Sequence, residues 1–196
     1  EDLRLFLRDD AGNILGSFRN VNESLVAQQL LFAMNAGMYH DDRAPVGHFV
    51  QDGVEVMRVI PNAGPGNFGL LPNGVLCLTD TSARVIETLA FIDQAPTCRD
   101  ATQSGPMLVI DGDLHPRFLP DGTSRYIRNG VGTSADGRSA VFVISNQVVN
   151  FYDFASFFRD VLKTPNALYF DGKVSRLHAP VLGRFDPGFR LGPIIG

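Results

Sequence analysis

Turn signals divide this chain at short intervals, and they constrain its fold more than any other feature. The sequence contains 20 Gly and 12 Pro. Asp-Gly and Asn-Gly pairs recur about every ten residues between short apolar or alternating runs, and they supply the positive φ that tight hairpins need. The turn signals lie at Asp10–Asn13, Gln51–Gly53, Pro72–Gly74, Ile110–Asp113, Asp121–Gly122, Ala135–Gly137 and Asp171–Gly172. This pattern predicts many short strands joined by tight turns.

The runs between the turns predict strands at most places and helices at only two. One helix is predicted over Glu23–Leu30, with Asn22 as its N-cap. The other is predicted over Tyr152–Leu162, where apolar residues recur at three- and four-residue spacing before Pro165. The predicted strands are Leu3–Arg8, Leu31–Met34, Gly47–Gln51, Val54–Val59, Val75–Thr79, Met107–Ile110, Ala140–Ser145 and Ala167–Phe170. Mixed, strand-rich sheets with one or two packed helices make an α+β fold, and we expect residues 1–196 to form a single domain.

The composition excludes several classes of function. The chain has 196 residues, of which 44% are hydrophobic, and this suits one sizeable core. Its formal net charge is −4 and it has no Lys/Arg cluster, so we expect no nucleic-acid partner. Its longest apolar runs, such as Ser139–Ser145, are too short to span a bilayer. Cys77 and Cys98 are either buried free thiols or one disulfide formed in an oxidising compartment, and the residues alone leave both readings open.

Motifs for the common cofactors and nucleophiles are missing from the sequence. It has no GxxxxGK loop, no GxSxG elbow, no His pair at helical spacing and no Cys-x-x-Cys. The run His40-Asp41-Asp42 is weak evidence for a cation site, because adjacent loop residues rarely converge on one ion. The stretch Gly64–Gly69 neither follows a clear strand nor opens a helix, so we interpret it as a loop. The sequence therefore predicts no metal site and specifies no cofactor.

Three segments place polar groups where a simple fold would not need them. Asn35 ends an apolar strand before small residues, which opens its amide to a ligand unless the segment is an ordinary turn. Arg128 lies in a β-like run before a Gly-rich stretch, and its planar guanidinium matches phosphate oxygens, although a surface Arg on an edge strand fits as well. Asp171 ends an apolar strand and Ser175 follows it. Asp171 therefore either faces a cleft or makes a hairpin turn.

These segments, in this order, resemble the phosphodiester glycosidase family over most of the chain. The family's Asn-Gly-Gly-Tyr/Phe element is similar to Asn35–Tyr39, and its Ser-Gly-x-Pro turn and following strand are similar to Gln103–Val109. Its Arg-Thr/Asn-x-x-Gly element matches Arg128–Gly132, and its Asn-Ala-Leu-x-Leu-Asp-Gly-Gly-x-Ser element matches Asn166–Ser175. The chain departs from this pattern at Lys173, where the family often has Gly, and at Arg176, where another Ser is common.

The resemblance implies a hydrolase that cleaves a sugar-1-phosphodiester at the glycosidic C1–O bond. Family members in animals remove N-acetylglucosamine from such a phosphodiester. On this basis Arg128 is expected to hold the departing phosphate, and Asp171 is expected to act as nucleophile or base. The residues expected to bind substrate are Asn35, Gln103, Ser104, Asn129 and Ser175. The resemblance also implies a small or polymeric sugar-phosphodiester as partner.

The resemblance places the protein outside the cytoplasm, in the periplasm or secreted. The chain starts at Glu1 and runs at once into a strand pattern, so we expect the natural N-terminus to lie upstream. Three other functions compete with the glycosidase. They are a metal-dependent phosphodiesterase that breaks the P–O bond, a non-catalytic glycan-binding module, and a serine hydrolase that pairs Ser104 with His115 or His178. The absence of Trp counts against the glycan-binding module, since such modules stack sugars on aromatic rings.

Overall fold

Short antiparallel strands form three sheets of five strands each in the computed structural model, which describes residues 3–196. Strands are numbered in chain order. The first sheet has the order Leu5–Phe6 (β1), Ile194–Ile195 (β15), Ala33–Asn35 (β2), Leu177–Ala179 (β13) and Arg184–Phe185 (β14). The second has the order Ala140–Ile144 (β11), Asn129–Thr133 (β10), Asn166–Asp171 (β12), Met107–Ile110 (β8) and Asp113–Leu114 (β9). The third has the order Val54–Met57 (β4), Phe49–Gln51 (β3), Asp100–Ser104 (β7), Gly74–Leu78 (β5) and Ala83–Glu87 (β6).

Short helices connect the strands within the described residues. The α-helices are Phe18–Ser24 (α1), Thr88–Gln94 (α2) and Phe151–Ser156 (α3). The last of these continues into a π-helical turn at Phe157–Val161, and a 3₁₀ turn spans Pro180–Leu182. None of the helices in residues 3–196 is both long and apolar enough to cross a membrane. The α+β class predicted from the sequence is confirmed.

One apolar cluster draws side chains from all three sheets. Leu5 and Met34 come from the first sheet, Leu168 from the second, and Phe49 and Leu76 from the third, and all of them are almost completely buried. Every strand pair in the described part of the chain is antiparallel, so the expected mixture of parallel and antiparallel pairing is not seen there. The reason is local, since two-residue turns can join only antiparallel neighbours.

The turn chemistry works as the sequence predicts in two hairpins. Asp52-Gly53 joins β3 to β4 with φ of 50° and 77°, and Asp111-Gly112 joins β8 to β9 with φ of 47° and 93°. These positive values are those of a type I′ turn. The pair Asp171-Gly172 is different, because neither of its residues takes a positive φ. The hairpin reading of this third Asp-Gly pair is therefore wrong.

The first predicted helix is misplaced. Helix α1 begins after Ser17, whose Oγ accepts a hydrogen bond from the Asn20 amide at 3.1 Å, and it ends at Ser24 rather than Leu30. Ser17, and not Asn22, is the N-cap, because a helix that begins after Ser17 buries Phe18 and Val21. Asn22 does not cap a helix. Its Oδ1 accepts a hydrogen bond from the backbone N–H of Leu30 at 2.8 Å and so holds the returning chain.

The second predicted helix is confirmed, and Asn150 caps its start. Sequence reasoning missed helix α2 and seven of the fifteen strands within residues 3–196, which are β6, β7, β9, the Gly-rich β10, β13, β14 and β15. Gly usually weakens a strand, but in β10 close packing requires it. A Cβ at Gly130 would collide with the backbone of Leu168, and one at Gly132 would collide with Phe158 and Thr164.

Cys77 and Cys98 form a disulfide that joins β5 to the segment before β7. The two residues are 21 positions apart in sequence, and both are buried beside Val75 and Phe91. The bond therefore closes a loop that contains all of β6 and α2. Of the two readings left open by the sequence, the structure has the disulfide.

Removing this disulfide is expected to lower the free energy of unfolding by about 3 kcal/mol, because a loop of this length loses its entropic constraint in the unfolded chain. The measurement is urea unfolding of Cys77→Ala/Cys98→Ala against the oxidised wild type. Wild type treated with reductant serves as the control and should lose a similar amount. A double variant as stable as the oxidised wild type would contradict the prediction.

Candidate functional site

Polar residues from all three sheets meet at one edge of the structure. Asn35 ends β2 and Ser104 ends β7, while Asn129 begins β10 opposite Asp171 at the end of β12. The Ser104 hydroxyl donates to the carbonyl of Phe170 at 3.2 Å and so fastens the third sheet to the second. Residues far apart in the sequence are therefore brought together as the motif order predicts.

A buried pair of amides lies at the centre of this edge. Both Asn35 and Asn129 are fully buried. The Asn129 Nδ2 group donates to the backbone carbonyl of Asn35 at 2.9 Å and to its Oδ1 at 3.1 Å. Asn35 Oδ1 also accepts the backbone N–H of Arg176 at 2.9 Å. The pair thus joins the first sheet to the second and holds the start of β13.

The loop after β12 folds around the carboxylate of Asp171. Its Oδ1 accepts backbone N–H groups of Lys173 at 2.6 Å and Val174 at 3.3 Å. The Ser175 hydroxyl lies 2.8 Å from both the Asp171 carbonyl and the Ile127 carbonyl, which closes the loop. No residue in the range 3–196 donates a hydrogen bond to Oδ2 of this half-buried side chain. One carboxylate oxygen is fixed by the backbone, and the other remains available for chemistry.

Arg128 is fully buried, and the protein itself occupies its guanidinium. Nε donates to the Val149 carbonyl at 2.9 Å, Nη2 to the Ser124 carbonyl at 2.7 Å and Nη1 to the Tyr169 hydroxyl at 3.2 Å. Its Cζ lies 3.6 Å from the centroid of the Phe151 ring, in cation–π contact. In this arrangement the guanidinium holds Tyr169 and the chain around it, and it does not face solvent.

The electrostatics of the Arg128–Tyr169 contact follow from burial. Burial lowers the pKa of Arg128, and it raises the pKa of the Tyr169 phenol far above its usual value. The nearby charge of Arg128 opposes this rise in the Tyr169 pKa, while that of Asp171 adds to it. The phenol therefore stays protonated near neutral pH. Within residues 3–196 no carboxylate forms an ion pair with Arg128, so its charge is stabilised by carbonyls and aromatic rings.

Gln103 lies on the opposite face of β7 from Ser104, because side chains alternate along a strand. Its Oε1 accepts the backbone N–H groups of His48 and Ile60, each at 3.0 Å, and its Nε2 donates to the Ile60 carbonyl at 2.8 Å. The side chain is buried and serves as a brace within the third sheet. The structure does not bring Gln103 together with the other predicted site residues.

Histidines and metal-binding groups do not converge on this edge. No group of three or more His, Cys, Asp or Glu side chains suited to a metal ion occurs within the described residues. His115 Nε2 lies 3.1 Å from the Leu71 carbonyl, and its Nδ1 accepts the Arg117 N–H. No histidine in residues 3–196 is hydrogen-bonded to the Ser104 hydroxyl.

Sequence reasoning gave no role to two residues of the segment that follows β2, Tyr39 and Arg43. Tyr39 belongs to the first motif but was given no role, although the charge of Asp171 contributes to the raised pKa of its phenol. Arg43 packs its Cζ 5.4 Å from the Tyr39 ring centroid, and nothing in the sequence pattern distinguished it from other loop arginines. A cavity of 490 Å³ is lined by Gly172, Lys173 and Ser175 among others.

The family model for phosphodiester glycosidases matches residues 28–178 of this chain. The chain therefore belongs to the phosphodiester glycosidase family. It is 33% identical over 179 residues to the uncharacterized protein YigE of Escherichia coli strain K12, an alignment that covers 91% of this chain and 70% of that protein.

The fold also matches the catalytic domain of zebrafish N-acetylglucosamine-1-phosphodiester alpha-N-acetylglucosaminidase, solved in a form auto-inhibited by its pro-peptide. The TM-score is 0.66, and the match covers 98% of this chain and 71% of that one. At 13% identity this likeness concerns the fold. The resemblance drawn from the four sequence motifs is confirmed at the level of the family.

The close fit of Gly172 against the Tyr169 hydroxyl gives a test of this geometry. A Cβ at position 172 would collide with that hydroxyl, so Gly172→Ala is expected to destabilise the fold by about 1–3 kcal/mol. Tyr169→Phe removes the colliding oxygen. The double variant should therefore recover part of the loss, with a coupling energy of about 1 kcal/mol in denaturant unfolding.

Gly64→Ala is the matched control, since a Cβ there meets nothing within 4 Å. It should leave the free energy of unfolding nearly unchanged. Additive effects of the Gly172 and Tyr169 substitutions would show that the two groups do not touch as described.

Proposed function

We propose that this protein hydrolyses a sugar-1-phosphodiester at the C1–O bond and releases the sugar and a phosphate monoester. One observation carries the proposal: the carboxylate of Asp171 is held through one oxygen while the other receives no hydrogen bond from the described residues. It sits in the family's own motif, at an edge where all three sheets converge. A carboxylate fixed in this way is oriented for attack or for charge stabilisation at C1.

The proposed cleavage of the C1–O bond needs only weak general-acid catalysis. A phosphate ester is a weak base, so it departs with the electron pair of the C1–O bond without the strong protonation that a sugar alkoxide needs. Positive charge then develops on the sugar ring, and the carboxylate of Asp171 stabilises it or bonds to C1 directly. A water molecule bonds through its oxygen to C1, keeps one hydrogen as the new hydroxyl, and releases the other proton to solvent.

The other predicted residues enter the proposal mainly as positioning groups. Asn35 and Asn129 hold the first two sheets together, and Ser104 and Ser175 fasten the strand and loop that carry Asp171. Arg128 keeps Tyr169 in place beneath the loop, since its own donors are occupied by protein acceptors. Gln103 contributes to the stability of the third sheet, and substrate contact is not assigned to it.

We also propose that the protein works in the periplasm or after secretion. The Cys77–Cys98 disulfide supports this, because such bonds persist in oxidising compartments. The substrates expected there are polymeric or small sugar-phosphodiesters, such as those of cell-wall polymers.

Asp171→Asn is expected to lower kcat/KM by about 10³-fold or more, because an amide cannot supply the negative charge that the transition state needs. The measurement is chromatographic detection of p-nitrophenyl phosphate released from a series of sugar-1-phospho-p-nitrophenyl diesters. Asp111→Asn is the matched control, since it changes the same residue type in an Asp-Gly pair that forms an ordinary hairpin. It should retain wild-type turnover.

Two further arms of this experiment separate the competing reactions. Hydrolysis in ¹⁸O-labelled water should place the label in the sugar, whereas label in the phosphate would mean P–O cleavage. A chelator should leave turnover unchanged. Loss of turnover on chelation would instead indicate a metal-assisted reaction. Full activity in Asp171→Asn would refute the assignment, and saturable sugar binding without turnover by wild type would favour a binding module.

A further inference from the structure

Two half-buried arginines, Arg43 and Arg176, lie near Tyr39, and the proposed reaction uses neither of them. Arg43 stacks on one side of the Tyr39 ring, with its Cζ 5.4 Å from the centroid. It lies on a loop that returns through a Tyr39–Pro45 bridge, and it takes a φ of 74°, which non-glycine residues rarely adopt.

Arg176 reaches the same place from the loop that carries Asp171. Its backbone N–H is fixed by Asn35 Oδ1. Its Nη2 donates to the carbonyl of Phe189, and the Tyr39 hydroxyl donates to the next carbonyl, that of Arg190, at 3.3 Å. The guanidinium of Arg176 and the phenol of Tyr39 are thus bonded to neighbouring carbonyls of the same segment. The charges of Arg43, Arg176 and Asp171 all act on the pKa of this phenol, which burial raises most strongly.

Both guanidiniums have unused donors. Nε of Arg43 and Nε of Arg176 are buried and lack a hydrogen-bond acceptor among residues 3–196. In the same part of the chain neither arginine forms an ion pair with a carboxylate. Buried unsatisfied donors are costly. Each arginine also carries a charge that no carboxylate in that part of the chain neutralises by an ion pair, and an anionic ligand would balance it. A guanidinium presents its donors in the planar fork that phosphate oxygens fit.

We propose that Arg43 and Arg176 form an anion subsite that binds the non-bridging oxygens of the substrate's phosphodiester. The phosphate would lie against Tyr39 while the sugar faces Asp171. This assignment rests on the proposed function for its substrate. It gives the phosphate-binding role, which the sequence analysis assigned to Arg128, to two arginines that are partly open to solvent. It also assigns a function to Arg176, which stands where the family commonly has Ser.

The first test measures binding of inorganic phosphate by isothermal titration, with chloride of equal ionic strength as reference. Wild type should bind phosphate, and Arg43→Ala and Arg176→Ala should each lose about 10-fold or more in affinity, as expected for charge-assisted hydrogen bonds. Arg58→Ala, which removes an equal charge from an exposed site, should bind like wild type. Asp171→Asn should also keep its phosphate binding.

The second test is steady-state kinetics on the sugar-1-phosphodiester. The two arginine variants should raise KM more than they lower kcat, whereas Asp171→Asn should lower kcat. Thermal unfolding with midpoints near that of wild type shows that the variants fold, and Arg176→Lys, which keeps the charge, should recover part of the lost affinity.

Phosphate binding unchanged in both arginine variants, or a wild type that does not respond to phosphate, would overturn the subsite. A wild type that binds phosphate through these arginines but hydrolyses no diester would leave the subsite standing and defeat the proposed function. Failure of the two proposals is therefore distinguishable.

Discussion

The buried amide pair of Asn35 and Asn129 is the interaction on which the site depends most. It joins two sheets at the point where the Asp171 loop leaves β12, and it also fixes the backbone of Arg176. Amides satisfy one another without a net charge, so this junction avoids the desolvation cost that a buried ion pair would carry. The half-buried residues Asp171 and Arg176 are thereby positioned by neutral groups, and neither forms an ion pair within the described residues.

The buried charge of Arg128 is stabilised in a different way from the uncharged amide pair. A cation inside a protein is costly unless its donors are satisfied and its charge is stabilised. Here backbone carbonyls of Val149 and Ser124 accept its N–H groups, and the ring of Phe151 lies against its face. Through Tyr169, whose hydroxyl lies against Gly172, this packing supports the Asp171 loop. The guanidinium of Arg128 is bonded to Tyr169 and to backbone carbonyls, although the sequence motif suggested a ligand-binding residue.

The sequence predicted the strands well where hydrophobic runs meet turn residues, and less well where tertiary contacts decide. Each of the eight predicted strands overlaps an observed one, but seven of the fifteen strands observed within the described residues were not predicted. Among these, β10 was missed because its glycines weaken a strand locally and are nevertheless required by the close packing of Leu168 and Phe158. Helix α1 was misplaced because two caps compete there, and burial of Phe18 decides between them. The motif order predicted Asp171 and its neighbours as site residues. It could not tell a buried brace such as Gln103 from an exposed ligand, because residue type carries no information on which face of a strand points inward.

Strand β15 lies between β1 and β2, although about 160 residues separate it from β2 along the chain. Asn35 is thus paired with Ile194, and Tyr39 and Arg176 are bonded to carbonyls of Arg190 and Phe189. The chain must therefore be synthesised through these residues before the first sheet can pair at Asn35. Any nascent or truncated form lacking this stretch would carry every motif residue and still have no assembled site. Assembly of this edge therefore depends on residues that lie beyond the last of the four motifs.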